Sequence, residues 1–160
     1  MDTAPDRTGS PNIRRVLTAA WPVMLGYVAI GVPCGILCNQ VGLAPWMCFF
    51  MSCTFYSGAG QFMLPGLWMA GGTIPSIVAS IAFVNTRQLL YSASFARYFM
   101  DANPLLAFAF SATVTDESFG VNIDRFNSDA SWKHTEATLV NIACMLTWRP
   151  PTRWAPLWAQ

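Results

Sequence analysis

The chain has 160 residues, 54% of them hydrophobic and only 11% charged, with a formal net charge of +1. An ordinary globular chain is roughly a quarter charged, so this composition excludes a typical water-facing surface and gives no electrostatic footprint for nucleic acid. No charged residue occurs between Arg15 and Arg87, which points to a lipid bilayer as the solvent of the first half.

Residues 1–15 are polar and read as a disordered N-terminal segment. Arg14-Arg15 precedes an apolar run, but a signal core is about 7–15 residues and Val16–Cys38 is longer, so it is expected to be the first transmembrane helix. Pro33 removes a backbone donor and is expected to kink or break that helix. Gly31 and Gly35 flank it four residues apart and allow close helix approach. Asn39-Gln40-Val41-Gly42-Leu43 is a short turn.

The next apolar unit, Ala44–Ala70, is too long for one straight span, and Tyr56-Ser57-Gly58-Ala59-Gly60-Gln61 divides it. Irregular backbone at membrane depth is tolerated where it is buried in protein or lines a wet cavity. Ser57, Gly58, Gly60 and Gln61 are therefore candidates for a substrate path, against the blander reading of a tight helix contact made by small residues. The pattern leaves open whether the unit crosses once or re-enters. Gly71-Gly72-Thr73 turns into a third span, about Ile74–Phe95, where Ser76, Ser80 and Arg87 share a helical face and Tyr91 follows four residues beyond Arg87.

Arg97 and Asp101-Ala102-Asn103-Pro104 mark the next boundary. In the fourth segment, Leu105–Ile123, Ser111, Thr115, Ser118 and Asn122 form a polar stripe, with Asp116 and Glu117 beside it. Asp124–Thr135 reads as a hydrophilic loop in which His134 is solvated. Ala137–Trp148 opens a fifth apolar segment that is about 18 Å long, short of a ~30 Å core, and Arg149-Pro150-Pro151 is expected to stop it. The fold class is thus all-α: a polytopic helical membrane protein with broken helices and about five apolar segments, the last incomplete. It comprises the polar segment 1–15, a membrane domain over 16–148, and an atypical tail over 149–160 that reads as truncated or frameshifted. If each unit crosses once, lysine and arginine in the short loops put the N-terminus in the cytoplasm, with Arg97 on the far side.

Arg87, two residues after Asn85 in an apolar stretch, is the most informative charge. A mid-membrane arginine costs at least ~2.5 kcal/mol on insertion scales, and its guanidinium suits a carboxylate held by two parallel hydrogen bonds; the alternative is snorkelling to an interface. Asp116 and Glu117 point about 100° apart on a helix, so one is a candidate for proton coupling while the other caps or faces water. The five cysteines, at 34, 38, 48, 53 and 144, are odd in number and lie in apolar sequence. They read as small buried hydrophobes and not a disulfide framework. With the methionines they invite a soft-metal reading, but no ligand spacing supports one. No catalytic constellation, cofactor motif or metal site is present in the sequence, so the chain does not read as an enzyme.

Gly31-Val32-Pro33-Cys34-Gly35, Ser57-Gly58-Ala59-Gly60-Gln61-Phe62, Asn85-Thr86-Arg87-Gln88 with Leu90–Ser94, and Thr115-Asp116-Glu117-Ser118-Phe119 together resemble the AzlC family of azaleucine-resistance or branched-chain amino acid permeases. The resemblance covers roughly residues 16–148. It implies a multi-pass bacterial inner-membrane protein that exports branched-chain amino acids as the large subunit beside a small hydrophobic AzlD-type partner. Gln88 stands where that family usually carries histidine, and glutamine takes no proton near neutral pH, so a proton step shifts toward Asp116 and Glu117. The alternatives are a small-solute or soft-metal carrier and a structural or inactive membrane fragment.

Overall fold

The computed structural model describes residues 9–158, with side chains as far as Arg149. Expectations for residues 1–8, for Ala159 and Gln160, and for the side chains of 150–158 lie outside the described residues. Among those described there is no strand. The helices are α1 (Ile13–Gln40), α2 (Pro45–Thr54), α3 (Gly58–Met69), α4 (Ile74–Asn85), α5 (Arg87–Phe95), α6 (Pro104–Thr113), α7 (Asp116–Ser128) and α8 (His134–Trp158), with a 3-10 turn at Ala96–Tyr98.

Among the described residues α1 is the one helix long and apolar enough to cross a membrane by itself. It runs unbroken through Gly31, Pro33 and Gly35, so the interruption expected there is absent. Proline withholds one donor, and at an exposed position such as that of Pro33 its ring meets no neighbouring helix. Gly31, Cys34, Gly35 and Cys38 are buried on one face at helical spacing.

Contacts divide the chain into two compact units, one of Met1–Val23 with Gln88–Cys144, the other of Met24–Arg87 with Met145–Gln160. In the second, α2 and α3 have 10 and 12 residues, or about 15 and 18 Å of helix. Val41 and Leu43, before α2, line the same apolar cavity of about 280 Å³ as Trp68 and Ile74, which flank the turn after α3. Thus α2 leaves one end of this unit and α3 returns to it, so Ala44–Ala70 forms a helical hairpin. Gly42 and Gly71 make the two turns at that end with φ of +81° and +79°, where a side chain would be strained. From the second turn α4 packs against α3.

The other unit contains a second hairpin. Tyr91 and Phe119 pack at 4.7 Å, and Tyr98 and Phe126 also at 4.7 Å, so α7 runs parallel to the segment beginning at α5. A five-residue link separates the 3-10 turn from α6; α6 therefore departs from the end to which α7 returns. The fourth segment is a helical hairpin and not one continuous helix. Tyr98 Oη donates to Asn127 Oδ1 at 2.5 Å, and the Arg15 guanidinium pairs with Asp129. Arg97, expected on the far side, therefore shares the end that carries Arg15, Arg125 and Lys133. Residues 124–128, expected as loop, complete α7, and the loop shortens to residues 129–133.

His134 is corrected too. It opens α8, is 4% exposed, and its Nε2 lies 2.6 Å from the Tyr98 carbonyl oxygen. Helix α8 spans 25 residues against the expected Ala137–Trp148. Its N-terminus extends to His134 because Glu136 accepts from the Lys133 N–H at 3.1 Å. At the other end the backbone continues through Pro150 and Pro151 to Trp158. Each proline deletes one donor without forbidding the helical φ.

Polarity is distributed the opposite way from a soluble protein. Gln61, Asn122, Asn141 and Glu136 are fully buried, while Phe83, Leu89, Met100 and Phe108 are each at least 70% exposed. Leu17, Trp21, Leu25, Val28 and Val32 form an exposed apolar stripe along α1. A surface of this kind is stable where the surrounding medium is hydrocarbon.

Candidate functional site

Three apolar stretches are interrupted, and each interruption carries a motif singled out in the sequence. The first spans residues 55–57, the second falls at Thr86, and the third at Val114-Thr115. Only the first was legible as a break.

At the first, Ser57 is extended and caps α3: its Oγ accepts from the Gly60 N–H at 3.2 Å. Gly58, Ala59, Gly60 and Gln61 are helical, so the irregular backbone is confined to Phe55–Ser57 and Gly58 opens the first turn of α3, where helix N–H groups lack intrahelical partners. Gly60 answers a different need. A Cβ there would lie 2.5 Å from Phe55 Cζ, so the glycine admits the Phe55 ring.

Gln61 is the strut of this turn. Its Nε2 donates to the Phe55 carbonyl at 2.6 Å. Its Oε1 accepts from Ser52 Oγ at 3.2 Å and from Trp148 Nε1 at 2.9 Å. Of the expected path residues, Ser57, Gly60 and Gln61 are buried, and Gln61 has both ends of its amide committed to partners inside the protein.

The second interruption meets the first. Asn85 ends α4, Thr86 forms the turn, and Arg87 opens α5. Ser57 Oγ donates to Asn85 Oδ1 at 2.7 Å. The junction thus lies at the far end of the 12 residues of α4, about 18 Å along the helix from the turn that starts it. Arg87 and Gln88 are both half-buried and follow Asn85 after the single residue Thr86. The face expected to join Ser76, Ser80, Arg87 and Tyr91 is not continuous, because the helix stops between Asn85 and Arg87.

At the third interruption Thr115 and Ser118 form a reciprocal capping box, with Thr115 N–H donating to Ser118 Oγ at 2.9 Å. Asp116 and Glu117 occupy the first turn of α7, the former half-buried and the latter exposed. Acidic groups there are favoured by the unpaired amides of a helix N-terminus. The stripe is only partly interior: Thr115, Ser118 and Asn122 are buried and Ser111 is exposed. Asn122 Nδ2 donates to Asn141 Oδ1 at 2.9 Å, and Asn141 Nδ2 to the Phe110 carbonyl at 3.3 Å. Asn141, Trp148 and Ser52 were not singled out in the sequence, since each looks like an ordinary residue of an apolar helix until its partner is known.

Cys34, Cys38, Cys48 and Cys144 are buried, Cys53 is exposed, and all five are free thiols. Among the described residues no three His, Cys, Asp or Glu side chains are grouped to hold a metal. At the charged end Asp129 accepts from Ser131 Oγ at 2.7 Å and from the Ser131 N–H at 2.9 Å. These bonds, with Arg15 adding to them, hold its carboxyl below the usual carboxylate range.

The AzlC protein family profile matches residues 22–153. An "Uncharacterized membrane protein" of Helicobacter pylori strain ATCC 700392 / 26695 is 33% identical over 102 residues, 62% of this chain and 43% of that protein. The "Inner membrane protein YgaZ" of Escherichia coli strain K12 is 24% identical over 86 residues, 54% of this chain and 35% of that protein. The chain therefore spans less than half the length of these relatives. No solved structure matches it.

Proposed function

The chain belongs to the AzlC family and is an all-helical membrane protein, and from that premise we propose that it acts as the large subunit of a two-component permease exporting branched-chain amino acids. The observation that carries this reading is the Ser57–Asn85 bond. It joins two helix interruptions about 18 Å from a hairpin end, roughly the middle of a ~30 Å hydrocarbon core. Discontinuous helices that meet at the midplane are how many secondary transporters present backbone and polar side chains to a solute.

The parts assign themselves by chemistry. Ser57, Gly58, Gly60 and Asn85 form the junction, and Gln61 supports it from behind. Arg87, at the start of α5, offers a guanidinium to the substrate carboxylate. Gln88 supplies a hydrogen-bonding group that does not titrate. Apolar helix walls suit a branched aliphatic side chain. Asp116 and Glu117, in the first turn of α7, are the candidates for proton coupling. The partner is a small hydrophobic AzlD-type subunit, and the location is a bacterial inner membrane. Arg14, Arg15, Arg97, Arg125 and Lys133 cluster around the start of α1, the end of α7 and the start of α8, which favours a cytoplasmic N-terminus.

Efflux of radiolabelled valine from loaded cells, with and without the AzlD-type subunit, tests the proposal. Faster efflux than from cells carrying Arg87→Ala at equal protein level is expected. Equal efflux from the two, and from cells lacking the protein, would overturn it.

A further inference from the structure

We infer that Trp148 is a positioning residue for the Ser57–Asn85 junction, acting through Gln61; the inference rests on the transport reading only for its kinetic consequence. The α2–α3 turn is fixed by bonds that converge on Phe55 and Gln61. Phe55 closes α2 with its N–H on the Met51 carbonyl, and its own carbonyl faces the turn, where the Ser57 N–H at 3.1 Å and Gln61 Nε2 at 2.6 Å reach it. Ser57 is thereby placed to cap α3 and to reach Asn85. Gln61 holds this geometry only if its amide is oriented. A buried glutamine amide can turn end over end, exchanging oxygen for nitrogen at nearly constant shape.

One of its two partners at Oε1 opposes the exchange. Ser52 Oγ and Trp148 Nε1 both point at Gln61 Oε1, at 3.2 and 2.9 Å. Indole N–H is a donor only, so it specifies oxygen at that position and, by consequence, a nitrogen aimed at Phe55. Trp148 is itself fixed, 2% exposed, with its ring edge-on to Tyr27 at 5.3 Å. The last element of the unit therefore sets the orientation of an amide that sets the turn. The Trp148 ring edge lies 4.0 Å from where a Cβ on Gly58 would stand, and its hydrogen bond acts on the turn through Gln61 and Phe55.

The test is Trp148→Phe, which keeps a ring against Tyr27 and removes the N–H, in the full chain purified in detergent. Amide hydrogen exchange by mass spectrometry is read over residues 55–61 and over 104–128. Exchange over 55–61 is expected to rise about tenfold, the scale of one buried hydrogen bond of roughly 1.4 kcal/mol, with 104–128 unchanged. Ser52→Ala, which removes the other donor at Oε1 and leaves Trp148 in place, is expected to give a smaller rise in the same peptide. Unchanged exchange over 55–61 in both variants, or an equal rise over 104–128, would overturn the inference. In valine efflux, Trp148→Phe should raise KM several-fold with maximal rate and protein level retained. Faster exchange with an unaltered KM would remove the positioning role. If the unmutated protein moves no valine, the transport reading fails, and the exchange data alone decide whether Trp148 sets the turn.

Discussion

Ser57 and Asn85 stand 28 positions apart in sequence, yet the serine hydroxyl donates to the asparagine side-chain oxygen at 2.7 Å while accepting the Gly60 N–H. One hydroxyl thus both starts α3 and ties it to the end of α4. Ser57→Ala removes both functions. It is expected to destabilise the protein by about 1–3 kcal/mol, from a lost cap and a lost buried bond together. Asn85→Ala should cost less, since the cap remains. Thermal unfolding of the two variants in one detergent orders them; a larger loss at Asn85 would contradict the double role.

Gly60 is required by the Phe55 ring and not by backbone strain. Gly60→Ala places a methyl 2.5 Å from Phe55 Cζ and is expected to cost about 1–3 kcal/mol. Gly60→Leu should abolish efflux. Phe55→Leu, combined with Gly60→Ala, should recover part of the loss. A strictly additive double variant would show that the clash is not the cause.

Arg87→Ala should reduce valine efflux by at least tenfold with much less effect on protein level. Arg87→Lys should restore little, because an ammonium cannot make two parallel bonds to one carboxylate. Full activity in the lysine variant would replace the bidentate clamp by a simple charge attraction.

Asp116 and Glu117 share a helix turn but not an environment, so their neutral analogues should differ. Each loses a favourable helix-end interaction of about 0.3–1 kcal/mol. Asp116→Asn, at the half-buried position, is expected to flatten the pH dependence of efflux, and Glu117→Gln is not. Identical, unaltered pH profiles in both variants would take proton coupling away from this pair.

Asp129 has a lowered pKa in the folded protein. Its stabilising effect is therefore fully present above the ordinary carboxylate value of about 4 and is lost as pH falls through the depressed value. Stability of the unmutated protein should fall more steeply than that of Asp129→Asn below about pH 4. The difference is small, because the group is solvent-screened. Parallel acid transitions in the two proteins would show that the Arg15–Asp129–Ser131 contacts carry no linkage.

The sequence made the helical class, the turns at Gly42 and Gly71-Gly72, and the first interruption legible, because each depends on local chemistry: low charge, glycine, and polar residues within an apolar run. The break at Thr86 was hidden because threonine is ordinary within a helix. The break before Asp116 was signalled by Thr115 and Ser118, three residues apart as in a capping box, but their stripe with Asn122 imitated one continuous face. His134 looked solvated from its charged neighbours, and its burial against Tyr98 and Phe99 depends on α7 returning to the same end. A hairpin is a tertiary property. A 10- and a 12-residue helix read the same in sequence whether the second continues or doubles back.

The α2–α3 hairpin also constrains how the chain is made. Neither of its helices is long enough to span hydrocarbon alone, and the peptide groups of Phe55–Ser57 at its tip, which lipid cannot solvate, find part of their partners within the hairpin itself. Gln61 arrives soon after Phe55 during synthesis, but Asn85 emerges 28 residues after Ser57, and Trp148 later still. Until then the tip lacks the two contacts that fix it. The contacts that fix the tip close only once those later helices are in place, so this hairpin is completed in an order different from that of the codons.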